Sequence, residues 1–481
     1  MGGFCGVYSK DSCVADLFYG TDYHSHLGTH RGGMSVLSPT GFKRAIHDIA
    51  NAPFRTKFQD DFSHFEGRVG LGVISDTDPQ PLVISSPLGV YAIVAVGLVT
   101  NQKELMEELW QTQRVCFDYS TTSGGVGPTA VVSRLINSQP SFVEGFKYVQ
   151  EKVKGSCSIL LVTEHGEFYA MRDKYGRTPV ILGKKKDAVM VTQESCCFPN
   201  LRYLSYKELG PGELVKITPD GAETLLPPGD EMAICSFLWV YYGYPVSSYE
   251  GRNVEESRYE SGRFLAKRAP VDADSVGGIP DSGVGHALGF SHESGLPYKR
   301  AFVKYTPTWS RSFMPPDQKQ REHIARMKLI PVPELIRGKR LVFCDDSIVR
   351  GTQLRQQANA LYEDGAKEVH MRIACPPLLY GCEFLNFSRS KSVMDLATRR
   401  WIQELEGPDA DIEKYQDPDG EPYKTMVDRI RQRLGLTSLA YQRLDDLIAA
   451  IGLPREKLCT YCWTGKDVSK KCASCPCHQT N

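Results

Sequence analysis

Two adjacent carboxylates, Asp345 and Asp346, followed by Ser347, Ile348, Val349, Arg350, Gly351 and Thr352, are the residues of this chain whose types and spacing most plainly could do chemistry. The four residues before them, Leu341 to Cys344, are apolar or β-compatible and read as a buried parallel strand that ends in a site. After them Leu354, Ala358 and Leu361 fall at helical spacing, Gly365 interrupts the pattern, and Val369 to Ile373 reads as another strand. Open α/β sheets bind ligands at the carboxyl ends of their strands, where this loop lies. Successive backbone N–H groups feeding a helix N-terminus suit an anion such as phosphate. The acidic pair has a different need, because carboxylates beside a phosphate repel it. Sugar hydroxyls or a hard divalent cation such as Mg2+ between them satisfies that need. An Asp-rich turn capping a helix would explain one aspartate and Ser347, but not the whole string.

The string resembles the phosphoribosylpyrophosphate (PRPP) loop of type I phosphoribosyltransferases, in particular that of the glutamine PRPP amidotransferase (amidophosphoribosyltransferase) family of purine biosynthesis. Gly278 to Tyr298, Gln320 to Leu329, Glu363 to Pro377 and Ser438 to Leu447 are similar to the same family, in its order. The resemblance implies a magnesium-dependent transfer in which Asp345 and Asp346 hold the ribose diol and the metal, joined at the metal by Ser282. It implies that the amides and hydroxyls from Ser347 to Thr352 hold the 5-phosphate. Lys304 and Arg311, in the closing loop Lys304 to Phe313, would offer charge to pyrophosphate; one residue is inserted there and the family's Asn-Arg pair is gone. Arg321, Arg326 and Lys328 are either anion contacts or a solvated helix face.

The elements that must position these groups follow from length and pattern. At 481 residues two domains are expected. Residues 1–230 are dense in short β-like runs, which suggests packed antiparallel sheets, and Pro227 to Asp230 reads as the seam. Here the resemblance implies an α+β N-terminal-nucleophile (Ntn) αββα sandwich, followed by an α/β type I phosphoribosyltransferase domain with a parallel sheet. The second domain is expected over 231–395 and 427–481, with 396–426 a polar insertion that places a helix on either side of a Pro-Asp-Gly turn. The net charge is zero and no Lys/Arg block stands out, so nucleic acid is not an expected partner. No apolar run approaches membrane-spanning length and Met1 to Lys10 lacks the apolar core of a signal peptide, so a cytoplasmic protein is expected. The 15 cysteines are then metal ligands or reactive thiols rather than disulfides.

In the first half the resemblance places the family's nucleophile at Cys5, which opens Cys-Gly-Val-Tyr with four residues before it. An N-terminal nucleophile uses its own α-amino group as base, so either residues 1–4 are removed or Cys5 is never activated. His30, Arg31 and Gly32 match the family's His-Arg-Gly. Three other positions depart. Ser75 stands near the family's glutamine-carboxylate Arg, Val96 stands at its oxyanion-hole Asn beside a retained Gly97, and Ser123 to Val132 contains no Asp for the glutamine amino group. Losing one oxyanion donor alone costs on the order of a hundredfold in rate. A degenerate glutaminase on a retained scaffold is expected.

The cysteines fill a second pattern. Family members with a [4Fe-4S] cluster use four Cys, and Cys235, Cys382, Cys459 and Cys462 occupy all four slots. The competitor is a zinc site from Cys459, Cys462, Cys472 and Cys475. Cys477 and His478 have no assigned role. The function expected is formation of 5-phosphoribosylamine from PRPP with release of pyrophosphate, the nitrogen coming from ammonia rather than glutamine. Purine nucleotides as regulators and a homo-oligomer are implied by the resemblance. Two alternatives stay open: PRPP transfer to another nucleophile, and a non-catalytic PRPP- or nucleotide-sensing protein.

Overall fold

Strand Gly2–Ser9 alternates its side chains between two layers, and that alternation organises the first half of the chain. The computed structural model describes residues 2–113, 115–117, 124–305, 329–385 and 393–467. Gly2–Ser9 lies inside a seven-stranded antiparallel sheet in the spatial order Leu204–Glu208, Ile181–Lys185, Ala188–Thr192, Gly2–Ser9, Val69–Ser75, Arg31–Ser38, Gly41–Asp48. A second antiparallel sheet runs Gly221–Leu226, Leu214–Thr218, Phe168–Met171, Gly155–Thr163, Gly89–Val99, Leu82–Ser86. Phe4, Leu71 and Val73 of the first sheet meet Val94, Leu160 and Val162 of the second in one buried cluster. On the far side of the first sheet Val7 packs with Val14 and Leu17 of helix Val14–Asp22. On the far side of the second, helices Pro128–Asn137 and Phe142–Lys152 cover Tyr91, Ile93 and Ile159. The result is the helix, sheet, sheet, helix sandwich. Each fully buried apolar side chain is worth roughly 1.5–3 kcal/mol of transfer free energy, so this core holds whatever becomes of the few polar residues at its edge.

The second half contains a four-stranded parallel sheet ordered Ser275–Gly278, Arg340–Asp345, Glu368–Ile373, Ser438–Tyr441. Helices Val254–Arg268 and Gly283–Ser294 pack on one face through Leu265, Ala287 and Phe290 against Val342 and Cys344. The opposite face carries Leu341 and Phe343, clustered with Leu354, Ala358 and Leu361 of helix Thr352–Glu363 and with Ile430 and Leu434 of helix Glu421–Leu434. The run read from sequence as strand, loop, helix, strand is therefore present, with both faces of its strand buried.

Within residues 396–426, helix Ala397–Glu406 precedes the Asp417 to Gly420 turn and Glu421–Leu434 follows it. Among the described residues no helix is long and apolar enough to cross a membrane.

Candidate functional site

The acidic pair closes strand Arg340–Asp345, an interior strand of the parallel sheet. The adjacent edge strand, Ser275–Gly278, ends in a loop that brings Ser282 against it: Ser282 Oγ donates to Asp346 Oδ2 at 2.6 Å, and Ser347 Oγ donates to Asp346 Oδ1 at 2.5 Å. The Asp346 amide donates to Asp345 Oδ1 at 2.9 Å. This close seating needs a glycine at the start of the following helix, because a Cβ on Gly283 would lie 2.3 Å from the Cys344 carbonyl oxygen. Asp346 is buried and Asp345 half-buried. Burial, then the charge of Asp346, holds the Asp345 carboxyl well above its usual range. Burial also raises Asp346, against the hydroxyls of Ser282 and Ser347 and the nearby Arg258 guanidinium, which favour its charged form. Two like carboxylates so placed call for a cation or hydroxyl donors between them, and their oxygen-only donor set, with the Ser282 hydroxyl, fits a hard divalent ion.

The loop after the pair runs through Ile348, which is buried, Val349, and Arg350, which is exposed. Gly351 adopts φ +76° at the start of helix Thr352–Glu363, a conformation that favours glycine. The loop is braced from behind: the Ala397 amide donates to the Val349 carbonyl and Arg400 Nη2 to the Arg350 carbonyl, both at 2.7 Å. Lys304, exposed, pairs with Asp281. It ends strand Phe302–Lys304, which is antiparallel to Leu329–Pro331. Arg311, Arg321, Arg326 and Lys328 lie outside the described residues.

Four cysteines from three distant segments meet at a second place. Cys235 and Cys459 are register partners in a two-stranded parallel pair, and with Cys382 and Cys462 they line one cavity, together with Arg177, Phe237, Phe384 and Trp463. A hydrogen bond to Cys382 and burial push the Cys462 thiol up; burial and the neighbouring Cys459 and Cys382 do the same to Cys235. Four thiols lining one cavity have the number and type of donors that an iron–sulfur cluster takes. Cys472, Cys475, Cys477 and His478 lie outside the described residues.

The third place is in the first half. Gly2, Ser75, Val96, Gly97 and Pro128 line one cavity between the sheets, so the three sequence stretches singled out there do converge. Cys5 does not join them. It is fully buried and belongs to the layer on the other side of the sheet, where the Cβ position of Gly20 would lie 2.6 Å from its sulfur. Burial, then Cys197 and Asp16, hold its thiol well above the ordinary range. By the two-residue period of the strand Gly2 and Phe4 face the sheet interface, while Cys5, expected at the nucleophile position, faces the helix. The cavity is narrow, with about 20 Å³ open to the centre of a water-sized sphere. A Cβ on Gly2 would lie 2.3 Å from the Ile74 carbonyl oxygen.

Residues 68–199 match the glutamine amidotransferase domain family. The chain is 31% identical to the amidophosphoribosyltransferase of Methanocaldococcus jannaschii, over 97% of both chains. It is 32% identical to a chloroplastic amidophosphoribosyltransferase of Arabidopsis thaliana, over 96% of this chain and 78% of that one. The chain belongs to the amidophosphoribosyltransferase family. Among solved structures, the glutamine PRPP amidotransferase of B. subtilis in complex with ADP and GMP superposes with a TM-score of 0.80 at 27% identity, covering 96% of each chain. Three residues of this chain's sites carry no sequence signal that singled them out. Gly2 looks like a turn or terminal residue. Arg177 lies within the matched residues 68–199 without a motif of its own. Arg258, buried beneath the acidic pair, donates to the carbonyls of Trp239, Tyr241 and Gly243 and reads from sequence as an ordinary helix residue.

Proposed function

We propose that this amidophosphoribosyltransferase-type enzyme forms 5-phosphoribosylamine from PRPP and free ammonia, releasing pyrophosphate. The single observation that carries the choice of nitrogen donor is the occupant of the inter-sheet cavity: Gly2 lines it, without a side chain, and the nearest cysteine in the strand faces the opposite layer. The thiol that does line it, Cys157, sits inside strand Gly155–Thr163 with no α-amino group of its own to act as base, and burial holds it well above the ordinary thiol range, so it is not a nucleophile of the N-terminal kind. Ser75, Val96 and Pro128 also leave the cavity without a cationic side chain for the glutamine carboxylate or an Asn for the oxyanion. The first half is then a scaffold, residues 1–230, joined to a transferase domain of 231–395 and 427–481 that carries the 396–426 insertion.

In the transferase, Asp345 and Asp346 hold the ribose diol and a magnesium ion, with Ser282 orienting Asp346, and the Ser347 to Thr352 amides and hydroxyls hold the 5-phosphate. When bound, magnesium supplies charge compensation to the departing pyrophosphate. The carboxylates also face the cationic character that develops at C1 of the ribose as the bond to pyrophosphate lengthens. The protein's contribution is positioning and charge. Lys304 pairs with Asp281 and is available to exchange that exposed carboxylate for pyrophosphate. Cys235, Cys382, Cys459 and Cys462 hold a [4Fe-4S] cluster, which pins the C-terminal segment onto the core. Purine nucleotides act as regulators, as the B. subtilis complex with ADP and GMP suggests for this family.

The test is pyrophosphate release from PRPP and magnesium with ammonium, with glutamine, and with neither. Release is expected with ammonium alone. Release that needs no ammonium but another amine would point to a different acceptor, and no release under any of these conditions would leave the chain without transferase turnover.

A further inference from the structure

Arg177 is, among the described residues, the one charged side chain lining the four-cysteine cavity, and it comes from the first half of the chain. Its side chain is 2% exposed. One guanidinium nitrogen donates to Cys459 Sγ at 3.4 Å, and another meets Asp467 Oδ1 at 3.3 Å, itself 6% exposed. The guanidinium lies over the Phe384 ring with its carbon 3.4 Å from the centroid. Its backbone carbonyl accepts from the Cys235 amide at 3.0 Å. Arg177 therefore touches two of the four cysteines, one through its main chain and one through its side chain. Its Nε, buried, has no hydrogen-bond partner among the described residues.

A buried cation among aromatic rings is costly unless anions face it. One carboxylate, Asp467, faces it from the protein. The remaining neighbours are thiols, and four thiolates around an iron–sulfur core form a net anionic group whose negative charge grows on reduction. An unpaired N–H in that wall is a donor of the kind that hydrogen-bonds cluster sulfurs and tunes their potential.

We infer that Arg177 is the charge-compensating positioning residue of the cluster site, holding the Cys459 sulfur and the Cys235 strand so that the first half of the chain forms one wall of the cluster's cage. Arg177 acquires this role only if the four thiols hold the proposed cluster. It gives the scaffold half a purpose independent of glutamine: it supplies the cation that stabilises the reduced cluster and shields it from solvent.

The experiment compares wild type, Arg177→Lys, Arg177→Met and Asp467→Asn as full chains prepared without oxygen. Bound iron and sulfide, visible absorbance, the midpoint potential by protein-film voltammetry and the rate of bleaching in air are measured. Arg177→Met shifts the potential to more negative values and bleaches faster than wild type. Arg177→Lys, which keeps the charge but loses the fork, falls between them. Asp467→Asn, which removes an opposing negative charge, shifts the potential the other way. A residue that merely filled space would not give shifts of opposite sign. If Arg177→Met does not fold, the Lys and Asn variants carry the comparison. Wild type that binds no iron or sulfide overturns the cluster; wild type with a cluster whose potential ignores Arg177→Lys and Asp467→Asn alike overturns the role of Arg177 and leaves the cluster intact.

Discussion

Gly2 and Cys5 lie three residues apart in one strand and face opposite layers, Gly2 into the cavity between the sheets and Cys5 into the core beneath helix Val14–Asp22. In an antiparallel strand the side-chain period is two, so no small adjustment carries Cys5 to the other face; a one-residue slip would also turn Phe4 and Val7 the wrong way.

Cys5→Ala is expected to leave ammonium-dependent turnover unchanged and to cost about 1 kcal/mol of stability, the loss of one buried heavy atom with limited collapse. Steady-state kinetics beside a denaturant melt checks both. A turnover loss larger than the loss of folded protein would return Cys5 to the chemistry.

Asp345→Asn is expected to reduce turnover by on the order of a hundredfold, since a charge aimed at the reacting centre is lost. In metal-free buffer at neutral pH it is expected to melt at a higher temperature than wild type. The reason is that burial and Asp346 disfavour the Asp345 carboxylate in the folded state, a penalty that asparagine does not share. The stabilisation that wild type gains from magnesium and PRPP should shrink in the variant. Thermal melts with chelator and with both ligands decide it.

The acidic string was legible because its chemistry is local: strand, carboxylates, loop and helix follow one another within two dozen residues, and each reads by its own period. Ser282 came with a loop that the same sheet places one strand away. Gly2 is not legible, because a glycine announces neither a face nor a role, whereas Cys5 three residues on carries a sulfur. Ser75, Val96 and the stretch ending in Val132 were read as departures from a pattern, and their convergence on one cavity depends on the pairing of two sheets that no single stretch encodes. Arg177 and Cys235 are 58 positions apart, and what joins them is a backbone hydrogen bond formed only in the folded chain.

Cys235→Ser and Cys459→Ser are each expected to abolish visible absorbance and bound iron and sulfide, whereas Cys344→Ser, in the core of the parallel sheet, leaves them in place in whatever protein folds. Metal analysis by mass spectrometry distinguishes the cases. One zinc per chain that survives Cys235→Ser would favour the local site built with Cys472 and Cys475.

Acid should destabilise the first half through His24. It is fully buried, with Nδ1 facing the Gly20 carbonyl at 2.8 Å and Nε2 facing Thr192 Oγ1 at 2.9 Å, and burial lowers its pKa to about 4. The folded value lies below the unfolded one of about 6.5, so the unfolded chain takes up a proton first as pH falls. The stability this histidine contributes is complete above pH of about 6.5 and is lost progressively toward pH 4, by about 3 kcal/mol at most. His24→Asn should flatten the fall in melting temperature over that window. An unchanged slope would assign the acid sensitivity to other groups.

The most direct measurement follows glutamate and pyrophosphate together, with PRPP, magnesium and glutamine saturating and ammonium removed, then restored. The account predicts no glutamate at any stage and pyrophosphate only once ammonium returns. Glutamate released in step with pyrophosphate before ammonium is restored would contradict it.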